Sequence, residues 1–199
     1  CALVFDVIRG RDPRDPSTRD MPFPFDPNFD VRQLRVGYLA EAFEEDYENR
    51  EADLQTLQVL RELGIELKPI RLPDDLPVSA MLLTLEVEAA AAFDELTRTG
   101  GVDLMVRQGR NTWPHVFRVA RFVPAVEFLQ ANRIRTLLMQ RMVEVFREVD
   151  VFVSPTFGGG TLRITNLTGH PCVCVPNAFH PLKDNPLSPR RRPGSITFI

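Results

Sequence analysis

The residues best equipped to hold a polar ligand fall in one stretch, Asp150 to Phe179. Thr156 and Phe157 follow the apolar run Val151-Phe152-Val153, three glycines follow at Gly158, Gly159 and Gly160, and Asn166 and Thr168 come shortly after. Asn166 and Thr168 offer side-chain hydrogen bonds, and glycines let a substrate or a loop approach the backbone closely. Elsewhere the chemistry-bearing types are scattered. Glu44, Glu45, Asp46 and Glu48 form an acidic run with no histidine nearby, and His115 stands alone, so neither reads as a metal site. Arg190 to Arg192 read as loop charges in solvent, and Glu86 and Glu88 as surface residues of a packing helix. No cofactor is implied.

The elements that must position these residues alternate between strand and helix. Val151–Val153 and Cys172–Val175 are apolar runs without polar alternation, each stopped by a proline, and they read as strands buried on both faces. Between them, residues 165–171 read as a short helical turn closed by Gly169 and Pro171. Leu34–Leu39, a helix over Asp53–Leu63 ended by Gly64, and Ile65–Leu72 make one strand-helix-strand unit with parallel strands. The leucines at 54, 57, 60 and 63 mark the expected buried stripe of that helix. A long helix is expected from Leu76-Pro77 to Thr99, and another begins near Thr112, a capping candidate. The longest begins at Pro124, with Ile134, Leu137, Leu138, Met142, Val145, Phe146 and Val149 on one stripe. The proline-rich loop 180–193 joins Cys172–Val175 to a last strand, Ser195–Ile199. The phenylalanines of residues 21–30 are expected to clamp that segment or to line a groove. The implied class is α/β: a mixed, largely buried β-sheet sandwiched by helices.

Several of these features occur in an order that resembles the C-terminal part of the amidase signature family. They are Asp150, Pro155 and Thr156 at one strand end, then Asn166, Leu167, Gly169 and Pro171, then Val175 and Pro176. Ala178 stands where the family more often has glycine. Gly10, Asp12, Asp15 and Pro16 fit a stretch just downstream of that family's catalytic core, and Gln130–Arg135 resembles its A-x-x-x-R segment. The resemblance implies a hydrolase in which a serine attacks an amide carbonyl while a second serine and a neutral lysine relay the proton. This chain has only Lys68 and Lys183, and no serine lies near either. The catalytic residues are therefore expected upstream of Cys1, with this segment supplying a pocket wall of Thr156, Phe157, Gly158, Gly159, Asn166, Thr168, Arg135 and Phe128. Arg135 is the family match for an arginine that helps to hold a substrate carboxylate in related amidotransferases. In those proteins the segment before Asn166 is longer and carries an acidic residue. Here it is Gly-Gly-Gly-Thr-Leu-Arg, which favours a plain amidase.

Composition sets the remaining limits. With 199 residues and 44% hydrophobic content, the chain can bury a sizeable core as one domain or part of one. A net charge of −3 makes no case for nucleic acid. No apolar run approaches the roughly 18 residues of a membrane span. Three cysteines, two of them neighbours on one strand, suit a reducing, cytoplasmic setting. Both ends are apolar, so residues 1–199 are expected to be the C-terminal portion of one domain, cut at both ends. The expected partners are a small-molecule amide, the upstream catalytic half and, as a further option, a second copy in a homodimer.

Overall fold

The computed structural model describes residues 1–199, which divide into two units, Cys1–Gln33 and Leu34–Ile199. In the first unit, helix α1 (Ala2–Ile8) buries none of its residues. Phe5 meets Phe23 edge-on at 5.0 Å between ring centroids, and Phe23 stacks on Phe25 at 6.2 Å. Beyond Gly10 the chain is pinned by Asx turns, in which Asp12 and Asp15 accept from the backbone N–H two residues on, at Arg14 and Ser17.

The second unit is built on a five-stranded sheet. In chain order its elements are β1 (Val36–Tyr38), α2 (Ala40–Glu44), α3 (Arg50–Glu62), β2 (Leu67–Pro69), α4 (Leu83–Ala92) and α5 (Asp94–Arg98). There follow α6 (Trp113–Val119), α7 (Ala125–Glu148), β3 (Val151–Pro155), α8 (Thr161–Thr168), β4 (Val173–Pro181) and β5 (Arg191–Phe198). Strand order is β2-β1-β3-β5-β4, with β2, β1 and β3 parallel and β3, β5 and β4 antiparallel. The expected mixed sheet and its parallel strand-helix-strand unit are both present.

The core divides by the pleat of β3. Phe152 joins Leu138, Met142, Ile164 and Leu167 on one face, beneath α7 and α8. Val153, its neighbour, joins Leu57, Phe43 and Ile196 on the other, beneath α3. Successive strand residues point to opposite faces, so one apolar run fills two cores, and each such side chain contributes about 1.5–3 kcal/mol on burial.

Several expectations are corrected. On α3 the buried residues are Asp53 and Leu57, whereas Leu54 and Leu63 are exposed. A spacing of three drifts around a helix of 3.6 residues per turn, and Leu54 and Leu63 end on opposite sides. The long helix over 76–99 is a 3-10 turn followed by α4 and α5, broken at Phe93, which stacks on Phe117 at 4.9 Å. Leu137 is half exposed although Leu138 and Met142 are fully buried. Thr112 occupies the N-cap of α6, yet its hydroxyl donates back to Gly109 O at 2.5 Å. The largest change concerns β4. It does not stop at Pro176 and is not covered on both faces: it runs to Pro181 as an edge strand, with Val173 and Val175 exposed. Arg191 and Arg192 lie in β5 rather than in the loop, and Arg192 pairs with Glu48 at 2.5 Å.

At the start of β3, Asp150 accepts from the Arg35 backbone N–H at 2.8 Å and from its guanidinium at 2.6 Å. Arg35 holds the Asp150 carboxyl below the usual carboxylate range. A depressed folded value supplies stability above the ordinary carboxylate pKa that is lost on acidification. Asp150→Asn is therefore expected to lower the thermal midpoint at pH 7, with the difference shrinking as pH falls from the unfolded carboxylate value of about 3.9 through the depressed folded value. Melting curves across pH check both.

A candidate ligand cleft at the strand ends

Beyond the carboxyl end of β3 the chain turns at Thr156–Gly160 into α8. Gly159 and Gly160 have positive φ of 60° and 69°. At Gly159 an added Cβ would come 3.1 Å from the Ala42 side chain, so both conformation and space demand glycine. Pro155, Thr156, Phe157 and Gly158 line one wall of a cleft of about 280 Å³. The opposite walls come from the α2–α3 loop, with Glu45 and Tyr47, and from the β4–β5 hairpin, with His180 and Ser195. In α/β sheets the carboxyl ends of strands are where ligands bind.

The structure separates the residues that the sequence grouped. Thr156, Phe157 and Gly158 share this cleft, with Phe157 86% exposed. Gly159 lies in a neighbouring hollow with Leu39 and Ile164. Arg135 and Asn166 share another cleft, of about 420 Å³, with Glu88 and Leu162. There Arg135 Nε donates to Leu167 O at 2.5 Å, fastening α7 to α8, and Asn166 Nδ2 donates to Leu162 O at 2.7 Å within its own helix. Thr168 binds Ile164 O and the His170 ring, and Phe128 is half-buried on α7; neither lines these clefts. The apolar groove of about 660 Å³ bounded by Leu85, Val106 and Trp113 holds none of the grouped residues.

Behind the β3 cleft lies a polar network that sequence reasoning missed. Asn49 Nδ2 donates to Asp53 Oδ1 at 2.7 Å and to Asn177 Oδ1 at 2.9 Å. Asn177 Nδ2 donates to Asp53 Oδ1 at 2.7 Å and to Thr56 Oγ1 at 3.0 Å. Because Asp53 can only accept, it fixes both amide orientations, and Asn49 Oδ1 is left to accept from His180 Nε2 at 2.8 Å. The register of β4 against β5 slips between Pro176 and Ala178, a bulge that turns Asn177 toward α3. Asp53 is 1% exposed, and burial pushes its carboxyl up. The Tyr47 hydroxyl is also pushed up, first by burial and then by the Asp53 charge. Asp53 Oδ2 and Tyr47 Oη lie near enough to influence each other, yet neither has a well-formed hydrogen bond. One signal was available: Asp53 lies four residues before Leu57 and seven before Leu60, which places it on the apolar face of α3.

The hydroxyls at the floor of the cleft are also ordered. Thr156 Oγ1 donates to Ser195 O at 2.7 Å and meets Ser195 Oγ and Thr197 Oγ1, each at 3.0 Å. Neither lysine is placed for acid-base work with a serine: Lys68 pairs with Glu148 at 2.7 Å and Lys183 with Glu48 at 3.3 Å.

Known proteins match this chain along most of its length. The Amidase family profile covers residues 1–178. The A subunit of the glutamyl-tRNA(Gln) amidotransferase from Roseiflexus castenholzii is 31% identical over 180 residues, 78% of this chain and 37% of that protein. An amidase from Pseudomonas putida is 28% identical over 160 residues, 78% of this chain and 34% of its own length. Among solved structures, a bacterial aryl acylamidase of the amidase signature family superposes with a TM-score of 0.71 at 18% identity, over 100% of this chain and 46% of that one. The A subunit of the Thermotoga maritima glutamyl-tRNA(Gln) amidotransferase gives 0.66 at 23% identity, with the same coverage of both chains. The chain thus spans between a third and a half of the length of these relatives. Its ordered strand-end motifs, its mixed sheet and the profile match over residues 1–178 together establish that the chain belongs to the amidase family.

Proposed function

We propose that this chain forms one wall of the substrate pocket of an amide hydrolase that converts a carboxylic amide to acid and ammonia. The nucleophile and its proton relay are supplied by another part of the polypeptide. The observation that carries the reading is the Thr156–Gly158 rim, which a strand covered on both faces presents to an open cleft. A reacting amide held there is positioned by fixed donors and acceptors, and positioning is a large share of what an active site contributes. The two lysines support placing the relay elsewhere, since each is held in an exposed ion pair rather than buried beside a serine. The same reading assigns a cytoplasmic setting, in which three free thiols need no bridge. No helix is long and apolar enough to cross a membrane.

A second reading, the A subunit of a tRNA-dependent amidotransferase, is favoured by the 31% identity to a protein of that name. The short link from β3 to α8, residues 156–160, contains no carboxylate and favours the first reading. The full-length protein is expected to hydrolyse simple amides and to be labelled by a serine-directed fluorophosphonate, whereas residues 1–199 alone do neither. Turnover by residues 1–199 would overturn the division of labour. An unlabelled, inactive full-length protein would overturn the hydrolase, and glutaminase activity appearing only with partner subunits would select the second reading.

A further inference from the structure

The β4–β5 hairpin reaches farther than the rest of the sheet. The last pair joining β3 to β5 is Pro155 with Ile196, whereas β4 and β5 go on pairing from Ala178 with Gly194 to Pro181 with Arg191. These outer pairs carry the hairpin roughly 13 Å past the end of β3, at about 3.3 Å per residue. Within this chain no third strand supports them. A two-stranded ribbon alone is marginal in water, so where this one lies depends on what its outer part touches.

It touches the α2–α3 loop on the other side of the β3 cleft. His180 and Arg192 are cross-strand partners on one face of the hairpin, and both meet that loop. His180 Nε2 donates to Asn49 Oδ1 at 2.8 Å. Arg192 Nη2 meets Glu48 Oε1 at 2.5 Å without hydrogen-bond alignment, and Lys183, just beyond β4, meets Glu48 Oε2 at 3.3 Å. One carboxylate therefore engages both arms of the hairpin, and Arg192 foremost holds it below the usual carboxylate range. The side chains of Glu48, Arg192 and Lys183 are 44%, 40% and 76% exposed, so each ion pair is weak and is screened by salt.

The foot of this projection is irregular. The register slips between Pro176 and Ala178, opposite Ser195 and Gly194, and a bulge bends the strand that carries it. Asn177, at the slip, is tied to Asp53 and Thr56 on α3. The hairpin thus has an anchored foot, a bend, and an outer arm resting on Glu48 and Asn49.

We infer that Glu48 is a positioning residue that sets how large an amide the β3 cleft admits. Its two ion pairs hold the outer hairpin against the α2–α3 loop, and releasing them lets the hairpin swing about the bulge and widens the cleft. The inference rests on the reading of this cleft as the substrate pocket.

The test is Glu48→Gln, at an exposed loop position, in the full-length protein. Hydrogen exchange of residues 178–192 is followed by mass spectrometry beside steady-state kinetics with acetamide and 2-phenylacetamide. At low salt the variant is expected to speed exchange about three- to fivefold, the scale of exposed ion pairs. Wild type is expected to reach the same rate in about 1 M sodium chloride, where charges are screened within about 3 Å, and the variant to respond to salt no further. The KM for 2-phenylacetamide falls by a similar factor with kcat unchanged, and acetamide kinetics change little. Unchanged exchange in the variant, salt-independent exchange in wild type, or an equal change in KM for both amides overturns the inference. Exchange that responds to Glu48 and to salt in a protein with no amide turnover upholds Glu48 as the latch and removes the hydrolase. Turnover of both amides with exchange unmoved does the reverse.

Discussion

Gly194→Ala is expected to lower the stability of this protein by about 3 kcal/mol, a shift of roughly 10 °C in the thermal midpoint. The residue lies in β5 and its backbone is not in the left-handed region, so the cost comes from lack of space rather than from conformation. A Cβ built there would be 2.0 Å from Asn49 Oδ1 and 2.8 Å from His180 Nε2. Those two atoms form the hydrogen bond that ends the Asp53 network, and Asn49 is held on its far side by Asp53 and Asn177. Asn49 cannot yield without releasing Asp53 and Asn177, and a buried polar group such as the Asp53 carboxyl costs about 1–3 kcal/mol when a partner is lost. The mechanism is checked by a double-mutant cycle in urea. Asn49→Ala alone should destabilise, and in its presence Gly194→Ala should cost much less than in the wild type. Additive effects would show that the glycine matters for some reason other than the asparagine behind it.

The parts of this fold that were legible in the sequence are those in which one residue type serves one purpose. Val151–Val153 is apolar at every position because β3 is covered on both faces. Pro124 marks the start of α7, where it is the extended N-cap residue and its missing N–H breaks no helical hydrogen bond, and Gly169 ends α8 in the left-handed region with φ of 77°. Cys172–Val175 misled because an apolar run records that burial is wanted and not what provides it. Within this chain β4 has one neighbouring strand, and Val173 and Val175 remain exposed.

The site was less legible than the fold, for a reason that particular residues show. Thr156 is recognisable by its motif, but its role depends on Ser195 and Thr197, which follow some forty residues later on a strand that pairs with β3. Asn177 reads as a turn residue after a proline, and only the bulge in β4 turns it toward α3. Arg135 and Asn166 looked like groups aimed at a ligand, yet the hydrogen bonds recorded for them go to backbone carbonyls of helix α8. Local pattern specifies which elements form. The partners of a polar side chain are set by register and bulges across the sheet, and these are non-local.

The Asp53 network yields the prediction with the clearest sign. Burial, the dominant influence, raises the folded carboxyl above its ordinary value, against the smaller opposing effect of the hydrogen bonds from Asn177 and Asn49 and of the nearby Tyr47 hydroxyl. A raised acid binds its proton more tightly folded than unfolded. The resulting stability is fully present below the unfolded value of about 3.9 and is lost as pH rises through the folded value, beyond which the curve is flat. Asp53→Asn should abolish that slope. Its amide oxygen can still accept from Asn49 and Asn177, and its NH2 can donate to Tyr47 Oη, which the wild type leaves without a good partner. At pH 7 this variant is expected within about 1 kcal/mol of wild type, or more stable, because it exchanges a buried charge for a neutral group of the same shape. Asp53→Ala has the opposite outcome, a loss of about 2–4 kcal/mol, since two partly buried amides then lose their acceptor and a small cavity opens. Urea titrations of the three proteins between pH 4 and pH 8 decide the matter. If Asp53→Asn is as damaging as Asp53→Ala, the negative charge itself, and not the shape and acceptor it shares with an amide, holds α3 to β4.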